Sequence, residues 1–122
     1  MTVFLETERL VLRTFAGGDA DDLYALDSDP AVMRFLTGGA PTTREEIVSQ
    51  TLPRLLREYP WRGERGYWAA EEKSGGTFLG WFELRPVDPG SPAVVELGYR
   101  LRRAAWGRGY ATEGCRALID KG

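Results

Sequence analysis

The first stretch to alternate apolar and polar positions is "RLVLRTF" (residues 9–15). It is rich in β-formers, so it predicts a strand. "GGDADDLYALDSD" follows, and here the period lengthens. Asp19 is placed to cap a short helix, with Asp21 and Asp22 in its first turn, where negative charge suits the helix dipole. Leu23 and Leu26 then face the core. Asp29-Pro30 is a second cap-and-proline start, leading through Met33 and Leu36. In "GGAPTTREEIVSQTLPRLLREYP", Thr43 and Glu46 have capping-box spacing. Ile47, Leu55 and Leu56 make one stripe, and Pro53 predicts a kink or a split. Three strand patterns come next: "GYWAAEEK" (Gly66 to Lys73), "TFLGWFELR" (Thr77 to Arg85) and "AVVELGYRLR" (Ala93 to Arg102). "SGG" joins the first two as a tight hairpin, and "PVDPGSP" joins the second and third as a longer loop. A last helical pattern sets Ala111, Cys115, Leu118 and Ile119 on one face. The order of strand, helices, three strands and helix predicts an α+β (mixed α/β) fold with an antiparallel meander at its centre.

Composition narrows the chemistry. The 122 residues suit one domain, 1–122, with a small core. Sixteen basic residues against eighteen acidic give a formal net charge of -2. The arginines are scattered, which argues against nucleic acid as a partner. Arg100, Arg102, Arg103 and Arg108 are a local exception. The single cysteine, Cys115, excludes an intrachain disulfide and fits a reducing, cytoplasmic setting. No apolar run is long enough to span a bilayer, and "MTVFLETERL" carries charges where a signal peptide needs an apolar core. There is no histidine, so Ser-His-Asp and Cys-His catalysis are excluded within the chain, and no metal site is expected.

"AAWGRGYATEG" (residues 104–114) is the stretch with distinctive chemistry. A strand running through this turn into a helix leaves backbone N–H groups free at the helix start, a ready site for phosphate oxygens. Gly107 and Gly109 let an anion approach the backbone, and Arg102, Arg103 and Arg108 can add charge-assisted contacts. The same residues also suit a plain strand–helix connection. The spacing is neither that of a P-loop nor that of a dinucleotide fingerprint.

Taken in order, "LETERLVLRTF", "DPAVMRFL", "GYWAAEE", "FLGWFELRP" and "VELGYRLRRAAWGRGYATEGCRALID" resemble the GNAT N-acetyltransferases. The likeness is to the branch that includes the ribosomal-protein N-terminal acetyltransferases of the RimJ/RimL type, and it covers essentially the whole chain. It implies a GNAT-like acyl-CoA N-acyltransferase fold, a mostly antiparallel central sheet flanked by helices, that transfers acetyl from acetyl-CoA to a primary amine. The acceptor would be a protein N-terminus or a small-molecule amine. The family's pyrophosphate loop, Gln/Arg-x-x-Gly-x-Gly/Ala, maps onto Trp106, Gly107, Arg108, Gly109, Tyr110 and Ala111, with tryptophan in the first place. The strand before it, near Tyr99 to Leu101, is implied to bind the pantetheine arm through its backbone, and Arg102 to assist the loop.

Acetyl transfer needs a proton acceptor for the amine, close placement of the reactants, a donor to the thioester oxygen and a leaving thiolate. Glu96, mid-strand just upstream of the loop, is the candidate base; the bland alternative is a structural pairing. Glu83 is the second choice. Cys115 reads as a core residue, Tyr99 as packing, and Asp21, Asp22, Asp27 and Asp29 as a solvated face. Trp61, Trp68 and Trp81 suit either core packing or an acceptor pocket.

Relatives continue beyond the pyrophosphate helix with a further strand, a helix and a final strand pair. The expectation is therefore an N-terminal portion of the fold, with an open sheet edge that pairs with a second copy to give a homodimer. The alternatives to an acetyltransferase are a non-catalytic CoA-binding or dimerisation module and a phosphate-binding regulatory domain.

Overall fold

A computed structural model describes residues 3–37, 42–56, 58–59, 64–86 and 95–121. Its main sheet has five strands in the order β1-β2-β5-β6-β7, every neighbouring pair antiparallel. The strands are β1 (Val3–Glu6), β2 (Leu10–Arg13), β5 (Tyr67–Glu72), β6 (Phe78–Pro86) and β7 (Val95–Leu101). A two-stranded ribbon, β3 (Glu58–Tyr59) with β4 (Glu64–Arg65), stands apart. Neither β1 nor this ribbon was expected from the pattern. β1 is short and follows β2's register through a turn that Thr7 closes, its N–H donating to the Leu10 carbonyl and its Oγ1 accepting from the Leu10 N–H.

The strands alternate between two cores. Leu10, Leu12, Trp68, Ala70, Phe82 and Leu84 point to one face, where helix α5 (Tyr110–Lys121) covers them with Tyr110 and Leu118. Tyr67, Ala69, Phe78 and Trp81 point to the other, under α1 (Ala20–Asp27) and the helical run α3 (Arg44–Glu46) to α4 (Leu52–Leu55). Both faces of β5 and β6 are covered, which explains why their sequences read as nearly continuous apolar runs.

Local chemistry departs from expectation in four places. Asp19 does not cap α1. Its carboxylate accepts two bonds from the Arg13 guanidinium, at 2.9 and 2.7 Å, and one from the Ala16 N–H, so it closes the preceding turn instead. Asp27 is buried and paired with Arg100 at 2.8 Å, not solvated. Pro53 neither kinks nor splits its helix cleanly: the run widens into a π-turn over Ile47–Thr51, and the Leu52 N–H reaches back to the Ile47 carbonyl. A proline lacks an N–H and crowds the carbonyl four residues back, and the wider turn accommodates both effects. Ile119 is 59% exposed; the buried side of α5 runs through Tyr110, Gly114 and Leu118. A Cβ at Gly114 would lie 2.3 Å from the Phe82 ring, so the helix packs this closely only on glycine. Asp29 and Thr43 do cap α2 (Pro30–Thr37) and α3, accepting from the N–H groups of Ala31 and Glu46.

Candidate active site

β7 ends in a short 3-10 turn (Arg103–Ala105), and the chain then passes through Gly107 and Gly109 into α5. Both glycines have left-handed backbones, φ 75° and 80°. This is a conformation that side chains disfavour. A Cβ at Gly107 would meet nothing within 4 Å, so the glycine leaves open space beside the backbone. The first helical bond ahead of α5 runs from the Glu113 N–H to the Gly109 carbonyl at 3.0 Å. The amides of Tyr110, Ala111 and Thr112 therefore have no carbonyl one turn back, and they sit at the positive end of the helix dipole.

This turn forms one end of a groove of about 630 Å³. Of the residues marked by sequence, Glu96, Tyr99, Leu101, Trp106, Gly107, Gly109, Tyr110 and Ala111 all line it. Arg102 and Arg108 do not. The Arg102 guanidinium donates to the Phe78 carbonyl at 3.3 Å, and the Arg108 carbonyl accepts from Arg9 at 2.8 Å. Trp106 is half-exposed and steadied by its indole N–H, which donates to the Leu101 carbonyl at 2.9 Å. The Tyr110 ring turns inward beneath the Arg9 guanidinium, 4.3 Å from its centroid, so only the backbone side of this residue serves the groove.

Alternation along β7 sends Glu96, Gly98 and Arg100 to one face and Leu97, Tyr99 and Leu101 to the other. The groove has walls on both faces, so it wraps around the outer edge of the sheet. On the Glu96 face stand Trp81 and Glu83 of β6 and Val32 of α2. Glu83 is registered opposite Gly98, and a Cβ there would lie 2.5 Å from the Glu83 carboxylate. Gly98 thus gives Glu83 its place in the wall. Trp68, by contrast, is core, stacked on Phe4 at 4.3 Å, and Trp61 lies outside the described residues.

Three supporting residues went unmarked in the sequence. Glu113 accepts from the Arg9 Nε at 2.7 Å, from the Arg9 backbone N–H at 2.9 Å and from the Thr7 hydroxyl. Burial pushes its carboxyl pKa up, but the bonds from Thr7 and Arg9 and the Arg9 charge outweigh that and hold it below the usual range. Arg9 also reaches the Arg108 carbonyl, so the β1–β2 turn braces the glycine loop from behind. The partners lie about a hundred residues apart, and only an acid in a first helical turn was visible locally.

Among the described residues no group of three His, Cys, Asp or Glu side chains could hold a metal ion, and no helix is long and apolar enough to cross a membrane.

An antiparallel sheet between helices, with a glycine turn and a helix start at the end of an outer strand, defines a mixed α/β protein with an anion-ready turn at the sheet edge. The acetyltransferase (GNAT) domain model matches residues 9–122, and the chain belongs to that family. It is 35% identical to the uncharacterized protein YkkB of Bacillus subtilis, over 97% of this chain and 67% of that protein. It is 32% identical to the FsC-acetyl coenzyme A-N(2)-transacetylase of Aspergillus fumigatus, over 94% of this chain and 50% of the enzyme. The chain thus spans half to two thirds of these relatives. Among solved structures, a GNAT acetyltransferase from Bacillus anthracis superposes with a TM-score of 0.76 at 18% identity, covering 100% of this chain and 66% of that one. A RimL ribosomal α-N-protein acetyltransferase solved with coenzyme A gives 0.75 at 17% identity, covering 98% and 66%.

Proposed function

We propose that the chain transfers an acetyl group from acetyl-CoA to a primary amine, on a protein N-terminus or a small molecule. The observation that carries this reading is the pair of left-handed glycines, Gly107 and Gly109, beside an α-helix start at the end of the outer strand. In this reading the amides from Gly107 to Ala111 hold the diphosphate. The β7 backbone at Tyr99 to Leu101 guides the pantetheine arm, and Trp106 flanks it. Arg102 and Arg108, outside the groove wall, contribute through long-range charge. Glu96 takes the proton from the acceptor ammonium, directly or through water. The amine nitrogen then bonds the acetyl carbon as the carbon–sulfur bond breaks, and the thiol sulfur leaves with a proton. Proximity supplies much of the acceleration.

The relatives' names support an acetyl-CoA co-substrate: one is a transacetylase using acetyl coenzyme A, and one neighbour was solved with coenzyme A. The setting we propose is cytoplasmic, with no nucleic-acid or membrane partner. Calorimetry with acetyl-CoA tests the loop, and a thiol-release assay over a panel of amines tests turnover. Binding without turnover would leave the non-catalytic module as the reading. A second copy pairing along β7 belongs to the same proposal. It is favoured by the exposed apolar side chains of Leu97, Tyr99 and Ile119 beside that outer strand.

A further inference from the structure

Among the described residues β7 is an outer strand of the main sheet, and two contacts fix which way its backbone faces. The Arg102 N–H donates to the Leu79 carbonyl at 2.7 Å, and a Cβ at Gly80 would lie 2.0 Å from the Arg100 carbonyl oxygen. Residues 102 and 100 thus turn their backbone toward β6, and the register opposite β6 runs without a shift from Leu101 to Val95. Alternation then points the N–H and carbonyl groups of Leu97 and Tyr99 outward. Leu101 also faces outward, but its carbonyl already accepts from the Trp106 indole. Such an open row on an outer strand is a template for another strand.

The strand "VELGYRL" (Val95–Leu101) is complementary to its own reverse. When it is laid antiparallel on a second copy with Gly98 at the centre, the whole strand overlaps. Glu96 then stands opposite the partner's Arg100, on one face, and Leu97 opposite the partner's Tyr99, on the other. Opposite charges and apolar pairs placed this way stabilise a sheet. Leu97 and Tyr99 are 36% and 53% exposed and lie ready for such contact. Arg100 is held by Asp27 at 2.8 Å and keeps 16% of its side chain exposed, so a carboxylate arriving along the edge meets a cation already in place. Outward-facing residues must meet outward-facing ones, so alternative registers differ by two residues. A shift of two either way shortens the overlap and sets Gly98 opposite Glu96 or Arg100 in place of the matched charges.

We infer that two copies pair along β7 in this register and that the pair excludes acetyl-CoA. The exclusion rests on the acetyltransferase reading, in which the pantetheine arm uses the same edge backbone from Tyr99 to Leu101. Glu96 is engaged by the partner's Arg100 as well, so neither groove takes cofactor or deprotonates an amine. The dimer is a closed, inactive form that acetyl-CoA opens, because a ligand that binds only the monomer draws the equilibrium toward it.

Sedimentation of the wild-type chain over a range of concentrations gives the dimer's dissociation constant. Coenzyme A at about ten times its own dissociation constant should raise that value roughly a hundredfold, since each of the two released subunits binds it. Glu96→Arg sets cations opposite each other at both ends of the pairing and should weaken the dimer about tenfold or more. The register is read by disulfide trapping on chains that carry Cys115→Ala. Leu97→Cys and Tyr99→Cys chains, mixed and air-oxidised, should cross-link with each other and not with themselves, because hydrogen-bonded neighbours about 5.5 Å apart suit a disulfide. A wild type that stays monomeric, a mixture that fails to cross-link, a cysteine variant that cross-links with itself, or a dimer that binds coenzyme A without weakening overturns the inference and leaves the acetyltransferase reading intact. If coenzyme A binds neither form, that reading fails, and the exclusion with it.

Discussion

Gly109 carries two demands at once, a left-handed backbone and close approach to Arg9, whose Nη2 would lie 3.4 Å from a Cβ there. Gly109→Glu strains the left-handed backbone and sets a carboxylate beside Arg9, which braces the loop, so it should both distort the proposed diphosphate cradle and make its field less positive. Acetyl-CoA affinity is expected to fall on the order of a hundredfold or more by calorimetry; an unchanged affinity would reduce the loop to a connector. Glu96→Gln keeps the shape of the side chain and removes its basicity. It should lower kcat by roughly a hundredfold to ten-thousandfold and leave acetyl-CoA binding alone. An unchanged rate across pH would remove Glu96 as the base. Cys115 has no such prospect: burial raises its thiol pKa, so it stays protonated and packs beside the core.

Helix α5 brings the loop to the sheet, and its seating depends on two contacts. The first is Gly114 on Phe82. Gly114→Ala forces either the ring or the helix to move. A loss of about 1–3 kcal/mol is expected in denaturant unfolding, typical of overpacking. The second is Glu113, held by Arg9 and Thr7. Its carboxyl pKa is lower in the folded protein than the ordinary value. The stability it contributes is fully present above its unfolded pKa and is lost as pH falls through the lower folded value. Thermal midpoints measured down to acid pH should therefore drop in the wild type, and Glu113→Gln should flatten that part of the curve. An identical acid profile in both proteins would mean other carboxylates dominate. The buried Arg13–Asp19 pair is a sharper case. Asp19→Ala removes the bidentate partner of the buried Arg13 guanidinium but leaves Glu71 at 3.1 Å from its Nε, so the loss in denaturant unfolding should be about 1.5–3 kcal/mol.

Across the whole molecule, the groove and the apolar side chains share one outer strand. If a second copy pairs there, light scattering should show mass rising with concentration, and Tyr99→Lys should return the protein to a monomer. Tyr99 is 53% exposed, so the change should cost little folding stability. A monomer at every concentration removes the proposed pairing. Much of this architecture was legible beforehand. The three middle strands and the last helix showed because their periods are strong and their turns are marked by glycine and proline. β1 escaped notice because four residues beside a turn carry little period. Ile119 was misplaced because Ala111, Cys115 and Leu118 fit a stripe that differs by only a small rotation from the true one through Tyr110, Gly114 and Leu118. A glycine in that stripe gives no hydrophobic signal, although it sets the closest contact of the helix.

What the amino-acid sequence determined by itself was local: the order of β2, the helices, the three middle strands and α5, the glycine turn before α5, the helix caps at Asp29 and Thr43, and the motif by which the family is known. Each depends on residues within a few positions of one another. Tertiary structure decided which groups meet. It placed Arg9 behind the loop, turned Asp19 away from its helix toward Arg13, buried Asp27 against Arg100, and set Glu83 in the space that Gly98 leaves. Charges and rings acquire these roles only when distant strands pair, because hydrogen bonding and packing act over a few ångströms while the residues concerned lie far apart along the chain.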